Sequence, residues 1–333
     1  MRRDPSALPA GWHGVALEKG APVGNVPPTR AECQQAVGLD QDVPPQLRRA
    51  LEFDETVEPL CPQGAHDWLT QHDERPQTFE DFREICVPVE SSARAICIQP
   101  IDDALVQAGP CLDHLVAFAG AFFVREVIVL PALQLPVSRI RARMDRLSGQ
   151  AQYFAGDILL ELAARRPADV MCVLGLTGHD IYPDVFVEFA YGEASALHRV
   201  ALCSTARYRP PFREESAGQP AGIMFRRCIR VLSHEVCHML GIQHCVYARC
   251  LMNGAADMAE GDRRPLHLCP VDLRKLQWAL GFNIVERYRR LLNFWSGMQD
   301  DPEDAWVSRR LRHVLDGWSH PAEIDAVPEP TGR

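Results

Sequence analysis

The 333-residue chain carries 44 acidic residues against 35 basic ones, a formal net charge of −9. A surface of that sign suits phosphate backbones poorly, which excludes nucleic acid as the main partner. No apolar run approaches the roughly eighteen residues that a bilayer-spanning helix needs. The length allows one large domain or two small ones.

Residues 1–30 are rich in Pro and Gly and lack periodicity, which predicts a flexible leader. The start, Met1-Arg2-Arg3-Asp4-Pro5, leads into no apolar secretory segment, so the twelve cysteines are expected as free thiols or metal ligands. The cytosol, with nuclear access open, is the expected compartment. Residues 31–85 mix short helical patterns with acidic stretches and form an N-terminal extension. The main domain is expected over 86–297.

Within that domain, Arg94 to Gln99 is a short apolar strand ending at Pro100. A helical pattern runs from Cys111 to Phe123, and Val127 to Leu130 is a β-branched strand stopped by Pro131. Val137 to Arg143 alternates as a strand does. Between Tyr153 and Arg165, the spacing of Ile158, Leu159 and Leu162 is helical. Asp169 to Gly175 is a continuous apolar run, the best candidate for a buried central strand, and Val200 to Ser204 is the last strand. Residues 209–221, with several prolines and glycines, are a loop into a helix from about Ile223 to Leu240. The alternation predicts an α+β (mixed α/β) fold with helices packed on a mixed sheet. Residues 298–333 are expected as a poorly ordered tail, with one short helix around Trp306 and Leu311.

The end of the helix expected from about Ile223 to Leu240, and the turn after it, read His234-Glu235-Val236-Cys237-His238-Met239-Leu240-Gly241-Ile242-Gln243-His244. His234 and His238 are four residues apart and project from one helix face, where two imidazoles can reach one ion. Glu235 sits beside the first ligand, placed to act as a general base without coordinating the metal. Gly241 can enter the left-handed conformation that ends a helix, which turns the chain back to deliver His244 as a third ligand. Three protein ligands leave a fourth position open, the mark of a catalytic zinc site. His198, His267 and Tyr247 are expected in structural roles.

The extended pattern, followed by Cys250-Leu251-Met252-Asn253-Gly254, resembles the metzincin metallopeptidases. There the methionine lies in a tight turn beneath the metal and packs against the histidines. Cys245, Cys250 and Cys269-Pro270-Val271-Asp272 give a narrower likeness to the archaemetzincins (the archaelysin family), eukaryotic branch. Further likeness lies in Asp262 to Leu266, Leu273 to Gln277, Gly281-Phe282, Ile284 to Tyr288, Ala155 to Leu159, Cys172 to Thr177 and Ser204 to Tyr208. A weaker likeness begins at His66-Asp67-Trp68-Leu69, so the resemblance spans about residues 66–295. It implies a metzincin-like zincin with a twisted mixed sheet, an active-site helix and a helical C-terminal part. It also implies a last strand that is antiparallel and borders the cleft, for which Val200 to Ser204 is the candidate, with hairpin pairing inside the domain an equally simple reading.

The resemblance further implies four cysteines holding a second, structural zinc, the last two as Cys-Pro-x-Cys. This chain has Asp272 at the fourth place. A carboxylate oxygen binds zinc at a distance close to that of an imidazole nitrogen, so Cys245, Cys250, Cys269 and Asp272 remain a candidate set. The other reading of Asp272 is an acid in the first turn of a helix opened by Pro270. Cys228 or Cys237 could replace it, although nothing in the spacing argues for either. The expected activity is zinc-dependent peptide hydrolysis with Glu235 as base, and the resemblance implies an aminopeptidase. The alternative is a catalytically weak or inactive zinc-binding protein that uses the same fold to bind peptides. Nothing in the sequence points to an oligomeric state.

Overall fold

The computed structural model describes residues 27–60, 64–86, 88–90, 93, 95–102, 112–146, 148–208, 222–298 and 302–316. Most of the expected leader and the 209–221 loop lie outside the described residues, as do residues 317–333.

A five-stranded sheet forms the centre. Its strands are β1 (Ala95–Ile101), β2 (Glu126–Val129), β5 (Cys172–Thr177), β7 (Gly192–Ser195) and β8 (Val200–Ser204), in the order β2-β1-β5-β8-β7. The first four in that order run parallel, and β7 pairs antiparallel with β8. A second sheet holds β3 (Ala142–Met144), β4 (Ala151–Phe154) and β6 (Asp180–Tyr182), with β3 antiparallel and β6 parallel to β4. Mixed pairing and interleaved helices bear out the α+β reading.

Because side chains alternate across a strand, the central sheet feeds two cores. Cys172, Leu174 and Leu176 of β5, with Ala201 and Cys203 of β8, face the larger one. Helices α5 (Leu112–Phe123), α7 (Ile223–Met239) and α10 (Ile284–Ser296) pack on that side. Val173 of β5 and Val200 and Leu202 of β8 point the other way, onto Ile158, Leu159 and Leu162 of α6 (Ala155–Arg165). A strand buried on both faces reads as an unbroken apolar run, which is why β5 was visible in the sequence.

Several expectations shift. The first strand passes through Pro100, whose carbonyl still accepts from Leu133 N–H at 2.8 Å, so the ring loses only a donor. Val137–Arg139 is a 3₁₀ turn closed by Arg139 N–H on the Pro136 carbonyl, and the strand starts only at Ala142. Val200–Ser204 is not the edge. It lies between β5 and β7 with every residue buried, so β7 is the antiparallel edge strand.

The flanks of the chain join the same body. Helices α1 (Arg30–Ala36), α2 (Pro45–Ala50) and α4 (Phe79–Ile85) contribute Cys33, Leu47, Phe79 and Phe82 to the larger core, and α3 (Trp68–Gln71) buries Leu69. Phe79 and Phe82 meet Trp278 of α9 (Pro270–Leu280) edge to face. Where composition suggested a poorly ordered tail with a short helix, residues Pro302–Leu315 form α11, and Trp306, Val307, Leu311 and Val314 are buried. Arg310 of α11 fixes it by donating to the carbonyls of Ala50 and Glu52 at 2.7 and 2.9 Å. Among the described residues, no helix is long and apolar enough to cross a membrane. The ten described cysteines are all free thiols.

Candidate metal centres

Helix α7 runs as one unbroken 17-residue element and carries His234, Glu235 and His238 near its C-terminal end. Gly241 then adopts φ +88°, the left-handed conformation expected of it, and the chain reverses. This reversal brings His244 beside the helix. The three rings converge, with centroids 4.4, 5.1 and 5.3 Å apart, and one ligating nitrogen from each lies within 4.8 Å of the others.

Each ring is oriented through its other nitrogen. His234 Nδ1 donates to the Leu251 carbonyl at 3.1 Å, His238 Nδ1 to the Ile242 carbonyl at 2.7 Å, and His244 Nδ1 to Glu74 Oε1 at 2.7 Å. Carbonyl and carboxylate oxygens only accept, so Nδ1 carries the proton in all three and the Nε2 lone pairs remain for a metal. His234 Nε2 and His238 Nε2 face each other at 2.9 Å. Two lone pairs at that distance repel unless a cation lies between them, so the donor set fits a metal ion such as zinc. Burial, then the neighbouring His238, pushes the His234 pKa well below its usual value and keeps the ring a neutral ligand.

Glu235 is 8% exposed and does not belong to the donor group. Burial, reinforced by Glu193, raises its pKa to about 8, while the Arg264 guanidinium pulls the other way. Edge strand β7 passes directly over it: a Cβ on Gly192 would lie 2.6 Å from Glu235 Oε1. The acid therefore lies packed under β7, next in sequence to the first histidine.

Met252 is fully buried. Its turn is held by Asn253, whose side chain accepts from Cys250 N–H at 2.8 Å and donates to the carbonyls of Cys245 and Ala248 at 2.8 and 3.0 Å. The same turn supplies the Leu251 carbonyl that orients His234.

Cys245, Cys250, Cys269 and Asp272 form the second donor group, all buried, with ligand atoms within 4.8 Å of one another. Cys245 Sγ lies 3.5 Å from Cys269 Sγ, and Asp272 Oδ2 lies 3.3 Å from Cys250 Sγ. The backbone N–H groups of Met252 and Cys269 donate to Cys250 Sγ at 3.4 and 3.2 Å. Asp272 is an acid in the first turn of α9, the helix opened by Pro270, as one of its sequence readings has it, and it also lies in the donor group. It turns Oδ2 to the sulfurs and accepts from Lys275 Nζ on Oδ1 at 2.9 Å. Lys275 is itself 1% exposed. Three sulfurs and one carboxylate fit a zinc ion, and the buried ammonium offsets part of the excess negative charge. Cys228 and Cys237 are buried in α7 and are not in the donor group.

The sequence reading missed Glu74 and Trp68. Trp68 Nε1 donates to Glu74 Oε1 at 2.6 Å, and the ring meets His244 edge-on at 5.4 Å. Burial alone would raise the Glu74 pKa, but the His244 and Trp68 contacts hold it down to about 2. The one available signal was the weak likeness at His66 to Leu69. His198 binds Ser195 Oγ at 2.9 Å, and His267 stacks on Trp306 with centroids 3.6 Å apart; neither is in a donor group.

With this geometry established, comparison with known proteins gives a consistent result. Residues 144–278 match Peptidase family M54. Archaemetzincin-1 of Mus musculus is 35% identical over 328 residues, covering 81% of this chain and 65% of that protein. Archaemetzincin-2 of Homo sapiens is 31% identical over 300 residues, covering 81% of this chain and 82% of that protein. The chain thus spans under two thirds of the mouse relative's length. The solved archaemetzincin of Methanopyrus kandleri is 25% identical, covering 59% of this chain and all of that one at a TM-score of 0.46.

Proposed function

The chain belongs to peptidase family M54, the archaemetzincins, and from that premise we propose that it is a zinc-dependent metallopeptidase acting on peptide or protein substrates. The observation that carries this reading is the convergence of three Nε2 atoms beside a buried carboxylic acid that does not share their donor group. His234, His238 and His244 would hold the catalytic ion. When bound there, zinc would acidify a water and polarise the scissile carbonyl.

The chain's own residues do the rest. An extended peptide pairs with the outer edge of β7, the end strand of its sheet among the described residues, which runs past Glu235 and aligns a carbonyl with the site. Glu235 takes the proton of the attacking water and returns it to the leaving amine. Met252 and the turn fixed by Asn253 keep the floor of the site apolar and still. Cys245, Cys250, Cys269 and Asp272 hold a second, structural zinc under this reading.

The finer proposal is an aminopeptidase, which rests on the resemblance to eukaryotic archaemetzincins. Product mapping on a peptide library, with metal analysis of the same preparation, tests both levels. Chelator-sensitive release of N-terminal residues supports the aminopeptidase. Internal cleavage leaves the peptidase and removes the finer assignment. Full zinc loading without cleavage favours a zinc-dependent peptide-binding protein.

A further inference from the structure

Of the three histidines, two are oriented by carbonyls close to them in the chain, whereas His244 is oriented by Glu74, 170 positions away. That contact is one of several made by residues 64–86 on the loop after α7. Gln77 Nε2 donates to the Gly241 carbonyl at 3.1 Å, and its Oε1 accepts from Gln243 N–H at 3.1 Å. Two glycines leave room for this segment. A Cβ on Gly241 would lie 2.3 Å from Cys86 Sγ, and one on Gly254 would lie 2.1 Å from the Trp68 ring. Trp68 in turn fixes Glu74, and Trp68 N–H is held by Glu260 at 3.0 Å.

Resting on the reading of the three histidines as a zinc site, we infer that Glu74 is a positioning residue for that metal. The segment 64–86 is a brace that fixes the ring plane and proton of the third ligand and sets how tightly the ion is held. A carboxylate behind an imidazole does more than a carbonyl, because its charge raises the basicity of the ligating nitrogen. The other two rings are oriented by backbone carbonyls near them in the chain, whereas the third ligand is oriented by a carboxylate from outside its own loop.

The test uses the full chain, stripped of metal and titrated with zinc against a competing chelator, for wild type, Glu74→Ala and Glu74→Gln. Cobalt(II) replaces zinc in a parallel series, and the histidine site is followed by the d–d bands that appear without sulfur-to-cobalt charge transfer, which marks the cysteine group. The alanine variant is expected to bind zinc about 10–100-fold more weakly and to lose it correspondingly faster to the chelator. Glu74→Gln keeps an acceptor but no charge and is expected between the two, with shifted cobalt bands. If Glu74→Ala fails to fold, Glu74→Gln carries the test. A folded variant within about twofold of wild type, with unchanged bands, overturns the assignment. Wild type that shows no cobalt at the histidines overturns the metal reading itself, and this inference with it.

Discussion

His244 and Cys245 are adjacent in the chain, yet their side chains belong to different donor groups, one of three histidines and one of three cysteines with an aspartate. The peptide bond between them is the shortest possible coupling of two centres. Whatever fixes Cys245 also fixes the loop that presents His244, and Cys245 N–H is further tied to the Met252 carbonyl at 2.8 Å.

Asp272→Ala leaves Lys275 buried without its 2.9 Å partner and removes one donor from the cysteine group. Breaking a buried ion pair in this way costs about 3–5 kcal/mol. Denaturant unfolding of the zinc-loaded protein is expected to show that loss, and metal analysis to show one fewer equivalent bound. Asp272→Cys separates the two effects. Its fourth thiolate tightens zinc, while the unpaired Lys275 still lowers stability.

Glu235→Gln keeps the shape of the side chain and removes its basicity. It is expected to retain metal at the histidines and lose at least about a hundredfold in kcat. Steady-state kinetics on a zinc-saturated preparation measures this, and an unchanged kcat removes Glu235 from the role of base.

Gly192→Ala places a methyl group 2.6–2.8 Å from three atoms of Glu235, too close to be absorbed without moving the acid. A displacement on the order of 1 Å at a catalytic group costs about a hundredfold in rate. The expected outcome is a folded, metal-loaded protein with kcat reduced more than its melting temperature would suggest. Circular dichroism and kinetics on the same sample distinguish this from general destabilisation.

Asp145 offers a pH dependence remote from either metal group. Burial raises its pKa, but the Ser148 backbone N–H and hydroxyl, both at 2.7 Å, and Arg207 at 2.9 Å outweigh this and hold it at about 2. The folded value lies below the ordinary one of 3.8, so the contribution is complete above that pH and is lost as pH falls through about 2. Asp145→Asn is expected to cost about 1.5–3 kcal/mol at neutral pH, the range for a hydrogen bond to a charged group. Denaturant curves recorded down the pH scale should converge with wild type near pH 2.

The parts of this molecule that the sequence revealed are those whose physics is local. The i, i+4 spacing of His234 and His238, the glycine that ends α7 and the apolar run of β5 all declare themselves within a few residues. Strand β7 does not. Gly192-Glu193-Ala194-Ser195 has neither alternation nor β-branched residues, and only pairing with Val200–Ser204 makes it a strand. Helix α11 hid behind a buried arginine: Val307, Leu311 and Val314 have helical spacing, but Arg310 lies buried with them and reads as polar. Glu74 was one of 44 acids, and only the folded chain shows which of them reaches His244.

The brace on His244 has a consequence for how the protein is made. Residues 64–86 leave the ribosome first, and at 5–20 residues per second some 170 further residues take roughly 10–30 s to follow. Until then Glu74 has no imidazole to brace, because neither the His244 ring nor the loop that carries it has been synthesised. Under the zinc reading, tight metal capture therefore waits until the third ligand has followed its brace out of the ribosome.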